Sequence, residues 1–118
     1  MVTITADLMQ SRTGYGDTYI TNTNLEYLID DAIDYVNLEA GTSISNLAAS
    51  TVTVTASQAA VLIPLIKLLM RAYKDKGPTS NISSMSVSAV INDPQYKLNM
   101  YLLKKGIDRL RGRSFERV

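Results

Sequence analysis

No cysteine and no histidine occur among the 118 residues. The first absence excludes a disulfide framework, thiolate zinc sites and cysteine nucleophiles; the second removes the commonest general base and the commonest metal ligand. Most familiar enzyme chemistries lose their usual groups with them. Long apolar runs are scarce as well. The longest, Ala59 to Ile66 with Pro64 inside it, is far short of the roughly 20 residues that cross a bilayer, and no basic start leads into an apolar stretch at the N-terminus. The expectation is a soluble, unprocessed chain that makes no membrane contact. A phosphate-cradling glycine loop is missing, since Gly14 and Gly16 lack the spacing, the lysine and the preceding apolar strand. Serine and threonine are abundant, yet no histidine is there to activate them and no Ser-x-x-Lys spacing occurs. No catalytic, cofactor-binding or metal-binding residue is assigned, and the chain is read as a non-enzyme.

What is present is an ordinary foldable composition, 46% apolar and 19% charged, with length for one domain. Its charges are sorted by half. Residues 1–60 hold one base, Arg12, against seven acids, a net −6; residues 61–118 hold eleven bases against four acids, a net +7. Such a division fits internal pairing of neighbouring helices, a basic surface for nucleic acid, or complementary surfaces that meet between subunits. A repeated subunit with one acidic and one basic side favours head-to-tail association, which closes into a ring where the rotation permits.

Along the chain, residues 1–22 are the least determined and read as an N-terminal arm with a short helix, capped by Thr5 and broken by Gly14 and Gly16. From Asn24 as N-cap, Leu25, Leu28, Ile29, Ala32, Ile33 and Val36 follow the 3.6-residue period of a helix that Gly41 ends. Asp30, Asp31 and Asp34 lie mostly off that stripe. They make an acidic face, since carboxylates without a fixed loop or convergent ligands are far more often solvated than metal-bound. Thr51 to Thr55 alternate as T-V-T-V-T, the pattern of a strand with Val52 and Val54 on one side. Thr55 and Gln58 have the spacing of a capping box for a buried central helix that runs to Lys76, with Pro64 predicting a kink or two segments. The serine-rich connection from Pro78 to Asn92 contains Met85, Val87 and Ala89 alternating with serines. It reads as a second strand, paired with the first inside one subunit or across two. Asp93 and Pro94 then start a last helix, apolar at Tyr96, Met100, Leu103, Ile107 and Leu110 and basic elsewhere, which Gly112 is expected to close. Residues 113–118 read as a flexible tail with Phe115 as an aromatic anchor. The fold class is mainly α: one domain, its helical core at 23–112, built of three main helices, a short N-terminal helix and two short strands.

The acidic helix "YLIDDAIDYV", the buried helix ending "LLMRAYKDKGP", the segment "SSMSVSAV" and the closing helix "YLLKKGIDRLRG" together resemble the head-tail connector proteins of tailed bacteriophages, also called adaptor or head-completion proteins. The likeness rests on element order and texture over about residues 22–112. It implies a homo-oligomeric ring, dodecameric by the resemblance, in the neck of the virion. That ring sits between the portal protein and a tail or stopper protein, extends the DNA channel, and is made in the host cytoplasm. Residues implied at subunit interfaces are Asp30, Asp31, Asp34, Val52, Val54, Met85, Val87 and Phe115. Lys97, Lys104, Lys105, Arg109, Arg111 and Arg113 are candidates to face passing double-stranded DNA, which phosphate contacts would touch without reading sequence. A small DNA-binding or regulatory protein using the basic last helix is the alternative, and an enzyme with an unrecognised site the third.

Overall fold

The computed structural model describes residues 1–15, 20–48, 50–76, 87, 90 and 93–115, with side chains at all of these but 76, 97–100 and 112–115. Strand β1 (Val2–Thr5) leads into helix α1 (Ala6–Thr13), helix α2 (Asn22–Ala40), strand β2 (Thr51–Val54) and helix α3 (Ala56–Lys76). A 3-10 turn (Pro94–Tyr96) then opens helix α4 (Lys97–Phe115). Among the described residues the protein is thus mainly α, four helices with a two-stranded antiparallel sheet, the fold class that the sequence implies.

The sheet pairs β2 with β1, in the register Val2–Val54, Thr3–Thr53, Ile4–Val52 and Thr5–Thr51. This corrects two expectations. The first residues of the chain are a strand rather than an arm, because Val2-Thr3-Ile4-Thr5 alternates as strictly as the segment it meets. The partner of β2 also does not come from the serine-rich connection, where Val87 and Val90 have helical backbone and Met85 lies outside the described residues. In-register alternation puts the threonines on the outer face and Ile4, Val52 and Val54 in the core, at 0%, 5% and 1% exposure. Val52 and Val54 are therefore core residues, too buried to offer the subunit interface expected from the sequence.

The ends of α1 and α2 and the start of α3 each carry a hydrogen-bonded reason for their position. Thr5 Oγ1 accepts from the Leu8 N–H at 3.0 Å, and Gly14 ends α1 in the left-handed region at φ 75°. The N-cap of α2 is Thr21, whose Oγ1 accepts from the Asn24 N–H, rather than Asn24 itself. Asn24 sits inside the first turn and donates to the Tyr73 hydroxyl. Gly41, at φ 69°, closes α2 as its sequence position implies. The capping box of α3 is complete: Thr55 Oγ1 accepts from the Gln58 N–H at 3.1 Å and Gln58 Oε1 accepts from the Thr55 N–H at 3.0 Å.

Helix α3 is one continuous helix through Pro64, not two segments. Pro64 lies on an exposed face, as does Ala60, whose carbonyl loses its helical donor there. Solvent access makes that loss tolerable. The rest of α3 is wrapped by its neighbours, with Leu62, Leu65, Ile66 and Leu69 at 0% exposure. By length and mean hydropathy (1.2), Ala56–Asp75 matches a membrane span, yet 56% of that window is buried inside the protein. Its burial is that of a central core helix. All six residues of the apolar stripe on α2 are buried against it. Among the described residues, the buried set is entirely apolar or aromatic. Helices α2, α3 and α4 pack each against the other two, so the bundle is triangular in section, with the sheet and α1 against it.

Asp93 does open the last helical segment, its Oδ1 accepting from the Gln95 N–H at 3.0 Å. The first turn is 3-10 before α4 proper begins at Lys97. Gly112 does not end α4, which runs on to Phe115, so Arg113 and Phe115 belong to its last turn rather than to a separate tail. Gly106 has a packing reason: a Cβ there would lie 3.0 Å from Val61 Cγ2. The missing side chain lets α4 approach α3 closely.

Candidate functional site: two opposed surfaces

Helix α2 presents one face to the core and the opposite face outward. Tyr27, Asp31, Asp34 and Leu38 are spaced i, i+4, i+7, i+11, which places all four within one stripe of that outer face. Tyr27 and Leu38 are 55% and 79% exposed, unusual for large apolar side chains, and they bracket the two carboxylates. Burial and the neighbouring charges of Asp34 and Asp30 together push the Asp31 carboxyl above the usual aspartate value. The like charges of Asp30, Asp31 and Asp34 oppose one another, and a cation brought to this face would relieve that repulsion.

Not every acid here is free for that role. Asp30 Oδ1 accepts from the Leu47 N–H at 3.0 Å, and Asp34 Oδ1 accepts from Asn46 Nδ2 at 3.4 Å, so both help fasten the segment after Gly41 to α2. Asn37 does most of this fastening. Its Nδ2 donates to the Ile44 carbonyl at 2.8 Å, while its Oδ1 accepts from Thr42 Oγ1 at 2.7 Å and from the Ile44 N–H at 2.9 Å. The segment ends in a tight turn in which Ala48 and Thr51 exchange backbone hydrogen bonds, with Ser50 at φ 65°. Of the three aspartates, Asp31 is the one whose carboxylate has no role in the fold. Among the described residues, no group of three or more acids converges as a metal site would.

On the far side of the bundle, α3 and α4 run antiparallel and leave a groove between them. One part, of about 500 Å³, is lined by Ala56, Ala60, Val61, Leu102, Lys105 and Arg109 among others. A second part, of about 200 Å³, shares Ala60, Val61, Leu102 and Gly106 with it and continues to Pro64 and Leu68. The floor is apolar because Ala60, Pro64 and Gly106 offer no polar side chain, and Leu102 stands 61% exposed at its edge. The rim is basic. Lys105 and Arg109 project there, Lys105 lying 5.0 Å over the Tyr101 ring, and among the described residues neither pairs with a carboxylate.

The other residues considered for DNA divide. Lys104 is exposed on α4 but lines a separate cleft of about 250 Å³ with Tyr35, Glu39, Asp108 and Arg111. Arg111 is used inside the subunit: its guanidinium donates to the Glu39 backbone carbonyl at the end of α2 and lies 4.0 Å from the Glu39 carboxylate. That pairing satisfies an orphan carbonyl where the helix dipole is negative. The Lys97, Arg113 and Phe115 side chains are not among those described. Periodicity did not single out Tyr27, Leu38 or Leu102. The clue was there nonetheless, in apolar residues of an amphipathic helix placed on its polar side.

A third feature is polar and local. The Tyr96 hydroxyl donates to Asp75 Oδ2 at 2.6 Å, Gln95 Nε2 donates to the same oxygen at 3.3 Å, and the Arg71 guanidinium lies 5.6 Å over the Tyr96 ring. Burial first, then the bond to Asp75 and the charges of Asp75 and Asp93, push the Tyr96 phenol up to about 12 despite Arg71. This cluster ties the start of α4 to the end of α3. No family model, curated protein or solved structure matches the chain.

Proposed function

We propose that this protein is a non-enzymatic structural component of the neck of a tailed-phage virion, a subunit of a ring between portal and tail that lengthens the DNA channel. One observation carries the reading: an outer face on α2 that is acidic between two exposed apolar residues, on the opposite side of the bundle from an apolar groove with a basic rim. Scattered exposed apolar residues are ordinary, but apolar residues bracketing like charges, with a complementary surface opposite, suit a protein made to be covered on two sides. The element order and texture of the sequence, which resemble head-tail connectors, supply the virion context. Lys104, exposed beside Asp108, suits a lumen wall that tolerates passing phosphates without gripping them.

Native mass spectrometry and sedimentation of the purified protein, alone and with candidate portal and tail proteins, test this. High-order rings, or a stable complex with either protein, are expected. A protein that stays monomeric at high concentration and ignores both partners refutes the reading. A salt-sensitive shift of duplex DNA by that monomer would instead support the regulatory alternative, which rests on the same exposed bases of α4.

A further inference from the structure

We infer that the outer stripe of α2 on one copy docks into the α3–α4 groove of the next, so that copies join head to tail. The inference deepens the assembly reading above and rests on it. Three matches support it.

The first is size. From Tyr27 to Leu38 the stripe rises over eleven residues, about 16 Å, and the groove from Ala56 to Leu68 follows twelve residues of α3, about 18 Å. One helix face fills one groove.

The second is chemical order. The stripe is apolar at its ends and anionic between them; the groove is apolar along its floor and cationic along its rim. Asp31 and Asp34 are three residues apart on one helix, Lys105 and Arg109 four residues apart on the other, and the long basic side chains span the difference. Docking brings two opposite-charge pairs together and covers Leu38 and Leu102, at 79% and 61% exposure two of the most exposed large apolar side chains described.

The third is placement. The two surfaces lie on opposite sides of a triangular bundle, so one pair of copies cannot engage both contacts at once. A closed two-fold dimer through these two contacts is thereby excluded, and each end copy of a pair keeps one free stripe or one free groove. Association continues until the chain of copies closes.

A charge-exchange experiment decides the matter. One variant carries Asp31→Lys with Asp34→Lys; the other carries Lys105→Glu with Arg109→Glu. All four positions are half-buried or exposed, and circular dichroism with thermal melting checks that each variant folds. Each variant alone places like charges together and should self-associate at least about tenfold more weakly than the wild type, measured by sedimentation at low salt. Mixed together, the basic stripe of one meets the acidic groove of the other and the native pairing holds at the remaining contact, so assembly of alternating copies should return. Leu38→Ser and Leu102→Ser, exposed positions outside the core, should each weaken association with an unchanged melting temperature.

Variants that assemble as the wild type does, or a mixture that fails to recover, overturn the pairing while leaving a ring built by other contacts intact. If the groove variant loses only a portal or tail partner and still self-associates, the occupant is that partner and the inference fails. A wild-type protein that never self-associates removes the pairing whatever its other partners.

Discussion

Asn37 is the residue on which the acidic face depends for its shape, and Asn37→Ala isolates that dependence. Its side chain makes three hydrogen bonds of 2.7 to 2.9 Å to the segment that follows Gly41, two of them to the backbone of Ile44. Ile44 is 7% exposed, so its N–H and carbonyl regain water poorly when the amide is removed. A net hydrogen bond is worth about 0.5–1.5 kcal/mol, and a buried group left unpaired costs about 1–3 kcal/mol. Thr42 is free to turn to solvent and adds little. Two orphaned backbone groups at a partly buried site therefore put the loss at about 2–4 kcal/mol, a large share of the roughly 5–15 kcal/mol that holds a domain of this size. Urea unfolding followed by circular dichroism reads it as a shift in midpoint at constant slope. An alanine variant within about 0.5 kcal/mol of the wild type would show that the amide does not anchor this segment.

Three further outcomes follow from the packing and the charges. Gly106→Ala gains about 1 kcal/mol of helix propensity but pushes a methyl to 3.0 Å from Val61, a β-branched side chain with one favoured rotamer in a helix. A net loss in melting temperature is expected, turning to a gain in a Val61→Ala background; equal effects in both backgrounds refute the close approach. Tyr96→Phe removes the 2.6 Å bond to Asp75 and should cost about 1–2 kcal/mol. Because the folded phenol is raised to about 12, its stabilisation is complete below pH 10 and is lost as pH rises toward 12, a decline that the Phe variant should lack when unfolding is measured across that range. Asp31→Asn should act in opposite senses on fold and assembly. The folded carboxyl is raised, so the carboxylate form weakens the folded monomer above that value; the Asn variant should melt slightly higher at pH 7 yet self-associate less, and a lower melting point would contradict the repulsion.

The helices were legible because their signals are local. The stripe from Leu25 to Val36, the Thr55–Gln58 box and the glycine after Ala40 each involve residues within a turn or two of one another, and the structure keeps all of them. The partner of β2 was harder to read, since pairing between residues 2–5 and 51–54 is decided by which distant segment offers the matching apolar face, and alternation at the serine-rich connection offered a competitor. Local texture misled at Gly112 as well, where a glycine within reach of the end of α4 did not stop it. Among the candidate site residues, Asp31 is half-buried and Lys105 and Arg109 are exposed, while Val52 and Val54 went to the core because a strand buries one face whether or not a neighbouring subunit exists. The groove itself has no linear signature: Ala60, Pro64, Leu102 and Gly106 meet only when two helices cross.

Proline in the middle of α3 leaves one further mark. With no N–H at position 64, the carbonyl of Ala60, a residue that lines the groove, lacks its ladder donor, an acceptor among largely apolar neighbours. In the lone subunit water quenches it. Whatever fills the groove must either trap that water or bring a hydroxyl or amide of its own to the same spot, so a purely hydrocarbon mimic of the incoming helix should bind worse than one carrying a single well-placed donor.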